Sequence, residues 1–141
     1  MDTKKQIVRR FIEEMVNTGQ TGELASLIAD EYIDLYSKSN NLRGPEMARA
    51  HIEAVRSTYQ DLHVEVLQQF CDGDTVITLF IATATHRGEW LNILPTNKRI
   101  EIEGVNIDTV VNGKIISHTG FANTFEALVK IGALPGVGIS G

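Results

Sequence analysis

The chain has 141 residues, 43% hydrophobic and 22% charged, with a formal net charge of −5, the composition of one globular domain and not of a disordered chain. The acidic balance disfavours a nucleic-acid partner, which asks for a basic face, and it repels anionic lipid. The single cysteine, Cys71, excludes an intrachain disulfide framework and a multi-thiolate zinc site, no apolar run approaches the ~18 residues of a membrane span, and the charged start MDTKKQIVRR lacks the apolar core of a secretory signal, so a cytoplasmic protein is expected.

Ile7, Val8, Phe11, Ile12, Met15 and Val16 recur at helical spacing and predict a helix over 3–18, with Thr3 as its N-cap. Thr21 is placed to cap a second short helix through Ala29, with Leu24, Leu27 and Ile28 inward. Glu31–Tyr36 reads as a short strand and Ser37–Arg43 as a polar loop. Gly44-Pro45-Glu46 opens a third helix, with proline at the first helical position and Glu46 complementing the dipole. Its apolar stripe runs Met47, His51, Ala54, Val55, Thr58. Beyond Asp61 the period changes to 2. Leu62–Phe70, Thr75–Arg87, Arg99–Val111 and Lys114–Asn123 read as strands, with hairpin signals at Asp72-Gly73-Asp74 and Asn112-Gly113. Phe125–Ile131 reads as a terminal helix, and 133–141 as a loose glycine-rich tail. With helices first and hairpin-linked strands after, a single α+β domain over 1–141 is expected, its helices on one face of a mostly antiparallel sheet. Strands of 10 residues or more curl, and a curled sheet closed by helices makes a concave pocket.

Within Thr75–Arg87 the even residues Val76, Thr78, Phe80, Ala82, Ala84 and His86 are assigned inward. Ala82 and Ala84 leave room that Phe80 and His86 flank. The odd residues Ile77, Leu79 and Ile81 are apolar too, so the outer face needs a cover, most simply a second copy. In Arg99–Val111 the even residues include Asn106 and Asp108. A buried Asp108 gains basicity useful for proton transfer; the alternative is a solvated Asp108 near the turn. In the last strand Ser117, Thr119, Phe121 and Asn123 share one face, and His118 takes the other with Gly120 and Ala122. His118 reads as a base, an interface residue or a structural histidine. His51 on its helix stripe points into the pocket or into the core. Trp90 lies in an apolar loop between two long strands, as a pocket lid or a plug. The histidines show no metal-ligand spacing, so no metal is expected.

Four segments together resemble the SnoaL-like polyketide cyclases of the nuclear transport factor 2-like superfamily. They are Leu42-Arg43-Gly44-Pro45-Glu46; Tyr59-Gln60-Asp61-Leu62-His63-Val64-Glu65-Val66, similar to F-P-D-L-x-V-x-V; Thr83 to Trp90 with Pro95-Thr96-Asn97-Lys98-Arg99-Ile100, similar to G-T-H-x-G-x-[FW]…P-T-G-[KR]-x-[IV]; and Asn112-Gly113-Lys114-Ile115-Ile116-Ser117-His118, similar to D-G-K-I-x-E-H. The resemblance implies a cone-shaped barrel, a curved sheet closed by three N-terminal helices, in a homodimer or homotetramer. It implies cofactor-free, metal-free ring closure by intramolecular aldol condensation, with a pocket aspartate on the last strand as general acid/base. Three positions depart from the family pattern. Thr119 replaces a tryptophan, Asn123 stands where the catalytic aspartate would be, and Asp34 is followed by Leu35 where a histidine is common. An amide is no general base, so Asp108 is the first choice for the proton work, with His118 and His86 next and Asn123 left to bind a carbonyl or a water.

The leading expectation is therefore an enzyme that cyclises or isomerises a hydrophobic, carbonyl-bearing small molecule. Asp108, His118 and Asn123 are its catalytic candidates, and Phe80, His86, Trp90, Asn106, Phe121 and His51 line the substrate. The alternatives are an epoxide-hydrolase-like hydrolase, which needs a pocket Arg–Asp pair, and a non-catalytic module for hydrophobic-ligand binding or oligomerisation.

Overall fold

The computed structural model describes residues 2–35, 41–89 and 91–134. Trp90 and the tail from 135 onward fall outside them, so the expectations of a lid at Trp90 and a loose tail lie outside the described residues.

Helix α1 (Lys4–Arg10) begins on a capping box in which Thr3 Oγ1 accepts the Gln6 N–H and Gln6 Oε1 accepts the Thr3 N–H. The helix then widens into a π-wound segment, Phe11–Val16, closed by the Asn17 N–H on the Ile12 carbonyl at 2.9 Å. The wider winding leaves Val8, Phe11, Ile12 and Val16 all facing one interior space.

The second helix expected over 21–29 does not form. A three-residue 3-10 turn, Leu24–Ser26, leads straight into strand β1 (Ile28–Asp34). Leu24, Leu27 and Ile28 are buried as their spacing suggests, but the sheet captures them: the Leu27 carbonyl accepts the Ile115 N–H at 2.8 Å. Strand β1 consequently starts three residues earlier than expected.

Helix α2 (Gly44–Thr58) starts as the Gly-Pro-Glu signal indicates. Gly44 has φ +66°, and a Cβ there would meet the Asp30 carbonyl oxygen at 2.6 Å, so only glycine lets the helix start this close to β1. The buried stripe is Met47, Ala48 and Ile52, with His51 and Ala54 exposed, which rotates the helix by about one residue from the expected phase.

Strands β2 (His63–Asp72), β3 (Thr75–Thr85), β4 (Arg99–Val111) and β5 (Lys114–Asn123) follow, and α3 (Phe125–Ile131) ends the fold. Asn112 and Gly113 both take positive φ, as a two-residue hairpin turn requires. The sheet order is β1-β5-β4-β3-β2, antiparallel except for the parallel β1–β5 pair. It is a mixed five-stranded sheet with β1 and β2 at its edges, so it is open and not a closed barrel, and of the α-helices only α1 precedes it, with α2 inserted between β1 and β2. The even residues of β3 point inward as assigned, and those of β4 turn the same way, which decides for the buried Asp108. Val76, Thr78, Ala84, Ile100, Asp108 and Val110 are all buried beneath α1 and α2.

Candidate active site

Between α1, its π-wound extension, α2 and the inner sheet face lies a cavity of about 270 Å³. Most of its wall is aliphatic or aromatic, including Val8, Ile12, Ile52, Val64 and Phe80. Two glycines make the room. A Cβ on Gly104 would meet the Phe80 ring at 2.2 Å, and one on Gly120 would meet Asn106 Oδ1 at 2.8 Å. Without those methyls the end of the Phe80 ring packs against β4 at Gly104 and the Asn106 amide reaches across β5 at Gly120.

Polar groups concentrate at one end of the cavity, where Tyr32, His51, Asn106, Asp108 and His118 line it. Asp108 and His118 are directly opposed across β4 and β5. His118 Nδ1 stands 2.7 Å from Asp108 Oδ1, with Asp108 3% exposed. A carboxylate can only accept, so Nδ1 carries the proton and Nε2 is left to exchange one. Desolvation lowers the affinity of His118 for a proton, but the hydrogen bond and charge of Asp108, helped by Asp34, outweigh it and hold His118 above its ordinary value. Asp34 comes from β1 at the level of His118. Its carboxylate lies 3.9 Å from His51 Nδ1, and the His51 and His118 rings are 6.4 Å apart. Desolvation at the cavity rim holds His51 below its ordinary value; Asp34 opposes this and His118 adds to it. Burial, then Asp34 and Asp108, pushes the Tyr32 phenol far up, so it stays a neutral O–H donor.

Arg56 also borders the cavity, but its guanidinium is committed to backbone. It donates to the carbonyls of Val16, Asn17 and Leu62, each at 3.2 Å, and to that of Gln60 at 2.8 Å. Among the described residues no pocket Arg–Asp pair forms, which is the arrangement a water-activating hydrolase needs. Nor is any group of three or more His, Cys, Asp or Glu among them placed to hold a metal ion.

A two-layer fold with this cavity is shared by proteins of known family. The model for SnoaL-like polyketide cyclases matches residues 6–130. The chain belongs to this family. Among SnoaL-like relatives, the aklanonic acid methyl ester cyclase DnrD of Streptomyces peucetius is 29% identical over 135 residues, covering 94% of this chain and 92% of that protein. AclR of Streptomyces galilaeus, a candidate hydroxylase, has a solved structure that superposes with a TM-score of 0.79 at 25% identity, covering 95% of this chain and 83% of that one. TsrD of Streptomyces laurentii superposes with a TM-score of 0.82 at 22% identity, covering 95% and 99%.

Against the SnoaL-like expectations, the structure brings Asp108, His118, Asn106, Phe80 and His51 to one cavity and leaves others out. Phe121 and Asn123 are exposed on the opposite sheet face, because period-2 alternation cannot turn them and His118 the same way. Asn123 Oδ1 instead accepts the Phe125 N–H at 3.3 Å, at the start of α3. His86 is fully buried away from the cavity. Its Nδ1 accepts the Thr96 N–H at 3.3 Å and lies 3.0 Å from Thr96 Oγ1. Its backbone bonds to Lys98 and Asn97, so it pins the loop between β3 and β4. Asp34 and Tyr32 join the site as well, although the sequence assigns neither a role. Their i, i+2 spacing puts them on one face of β1, and that alternation was the available signal.

Proposed function

We propose that the protein closes a ring in a hydrophobic, carbonyl-bearing substrate by intramolecular aldol addition, using acid/base groups of its own chain. The observation that carries this reading is the His118–Asp108 pair at the polar end of an otherwise apolar cavity. A C–H flanked by carbonyls is already acidic, and ring closure asks only for a proton taken from carbon and one given to oxygen. Asp108 fixes the His118 tautomer and stabilises its imidazolium, so His118 Nε2, more than Asp108 itself, exchanges protons with the substrate. Tyr32 and the Asn106 amide are donors for an enolate or carbonyl oxygen. The apolar wall folds the guest so that its reacting carbons meet. Arg56, spent on backbone carbonyls, speaks against the hydrolase alternative.

The names of the curated relatives supply the first probe. Incubation with aklanonic acid methyl ester, followed by chromatography and mass spectrometry, is expected to give an isomer of unchanged mass and one ring more. No turnover of this ester or of simpler polyketide esters would overturn the reading. The protein is further proposed to act as a homodimer or homotetramer through its outer sheet face.

A further inference from the structure

A second histidine and carboxylate stand at the polar end of the cavity, on different elements from the first pair. His51 projects from α2 and Asp34 from the end of β1. Two contacts hold these elements in place. The Asp34 N–H points at Met47 Sδ, 3.3 Å away and one helical turn before His51, and the side-chain-free Gly44 seats the helix start on Asp30. His51 is 54% exposed on its side chain while Asp34 is 8% exposed, so the imidazole bridges cavity and solvent with a buried carboxylate behind it. The ring-centre separation of 6.4 Å from His118, with a 51° tilt, is too long for a direct hydrogen bond. It suits two groups addressing neighbouring atoms of one guest, whose reacting carbons approach to about 3–3.5 Å.

We infer that His51, backed by Asp34, is a second acid/base residue of this cavity, and that the two proton transfers of ring closure run through different imidazoles. This rests on the cyclase reading and assigns its steps. Neutral His51 takes the proton from the carbon between two carbonyls. The electron pair of that C–H bond becomes the new C–C bond to the carbon of a third carbonyl, farther along the same molecule. The π pair of that carbonyl moves to its oxygen, which receives a proton from the His118 imidazolium. His51 ends charged and His118 neutral; the half-exposed His51 returns its proton to solvent and His118 takes one up, which restores both. Among the described residues, the charged and titratable groups that share this end of the cavity with His51 are Asp34 and Tyr32 from β1, Asp108 from β4, His118 from β5 and, on its own helix, Arg56 with its guanidinium engaged. The opposite displacements of the two histidines fit this division.

The test separates the steps in D₂O with the probe ester named above. Deuterium uptake into unreacted ester, over the uncatalysed rate, reports proton abstraction, and the cyclised product reports closure. His51→Gln is expected to lose both by a hundredfold or more and to lose the acidic limb of the kcat/KM pH profile. His118→Gln should retain deuterium uptake while losing closure. A His51→Gln protein with wild-type turnover and pH profile overturns the assignment and leaves the cyclase reading standing. A wild-type protein that neither exchanges nor cyclises the ester overturns both. Independently of any substrate, NMR titration of the free protein should find His51 deprotonating at lower pH than His118, and the reverse order would overturn the assigned roles.

Discussion

Asp108 and His118 act as a pair, because their 2.7 Å contact lets the Asp108 carboxylate hold the His118 proton and raise its affinity. Asp108→Asn keeps the size of the side chain but removes the charge and leaves an amide against Nδ1, favouring the wrong tautomer. Turnover of a cyclisable ester is expected to fall on the order of a hundredfold to ten-thousandfold, with circular dichroism unchanged; a loss under threefold would remove Asp108 from the mechanism. The same pair links stability to pH. Since the folded state holds His118 above its ordinary value, its stabilising contribution is complete below about pH 6.5 and is lost as pH rises through the raised value. The melting-temperature gap between wild type and His118→Gln should therefore be widest near pH 6 and narrow toward pH 9; a gap that widens with pH would contradict the sign. Asp108 and Asn106 were readable from sequence because β4 is regular in its outer part and alternation assigns their face. For Asp34, alternation gives only the face it shares with Tyr32; its place opposite His118 depends on a long-range pairing of β1 with β5 that carries a register shift between Ile28 and Ile33.

Elements were legible where local signals agreed. β4, β5 and α3 begin and end at the expected residues, because Asn112-Gly113 fixes one hairpin and alternation fixes the rest. The segment 21–29 failed because Leu24, Leu27 and Ile28 satisfy a helical spacing that a parallel strand pairing overrides. One side chain joins these elements in a way sequence does not announce. Arg56 on α2 closes off the carbonyls at the end of the π-wound segment and those of Gln60 and Leu62, fastening helix 1, helix α2 and the start of β2 to each other. Arg56→Met keeps the aliphatic stem and orphans those carbonyls, so urea denaturation should show a loss of about 2–3 kcal/mol, with Arg56→Lys between the two because an ammonium lacks the planar fork. Equal stability of all three would show that water replaces the guanidinium without cost. Gly104 acts in the same way on the cavity. Its methyl derivative must displace the Phe80 ring, and Gly104→Ala should lose about 1–3 kcal/mol and bind bulky guests less well. Gly104→Ala combined with Phe80→Leu should recover most of both; no recovery would mean that the ring is not what the methyl meets.

The fold directs its chemistry inward and leaves an apolar patch on its other sheet face. Leu79, Val105 and Phe121 sit side by side across β3, β4 and β5, with Ile77 and Ile107 in a neighbouring row. Leu67, Phe70 and Phe121 are each at least 50% exposed. A contiguous patch of this kind is costly to leave in water, and a second copy laid on it would remove it from solvent. The flat, isologous pairing of two such sheets would bury both copies at once. The proposed oligomer predicts that Leu79→Glu, placed at the middle of the row, lowers the mass seen by sedimentation equilibrium to that of one chain. The substitution points away from the cavity, so ring-closing activity per chain should change far less than mass. If wild type already sediments as a single chain, or if Leu79→Glu leaves a larger assembly intact, the outer face is not the interface. If mass and activity fall together, the partner copy supports the cavity through the sheet, and the helices alone do not hold its inner face in shape.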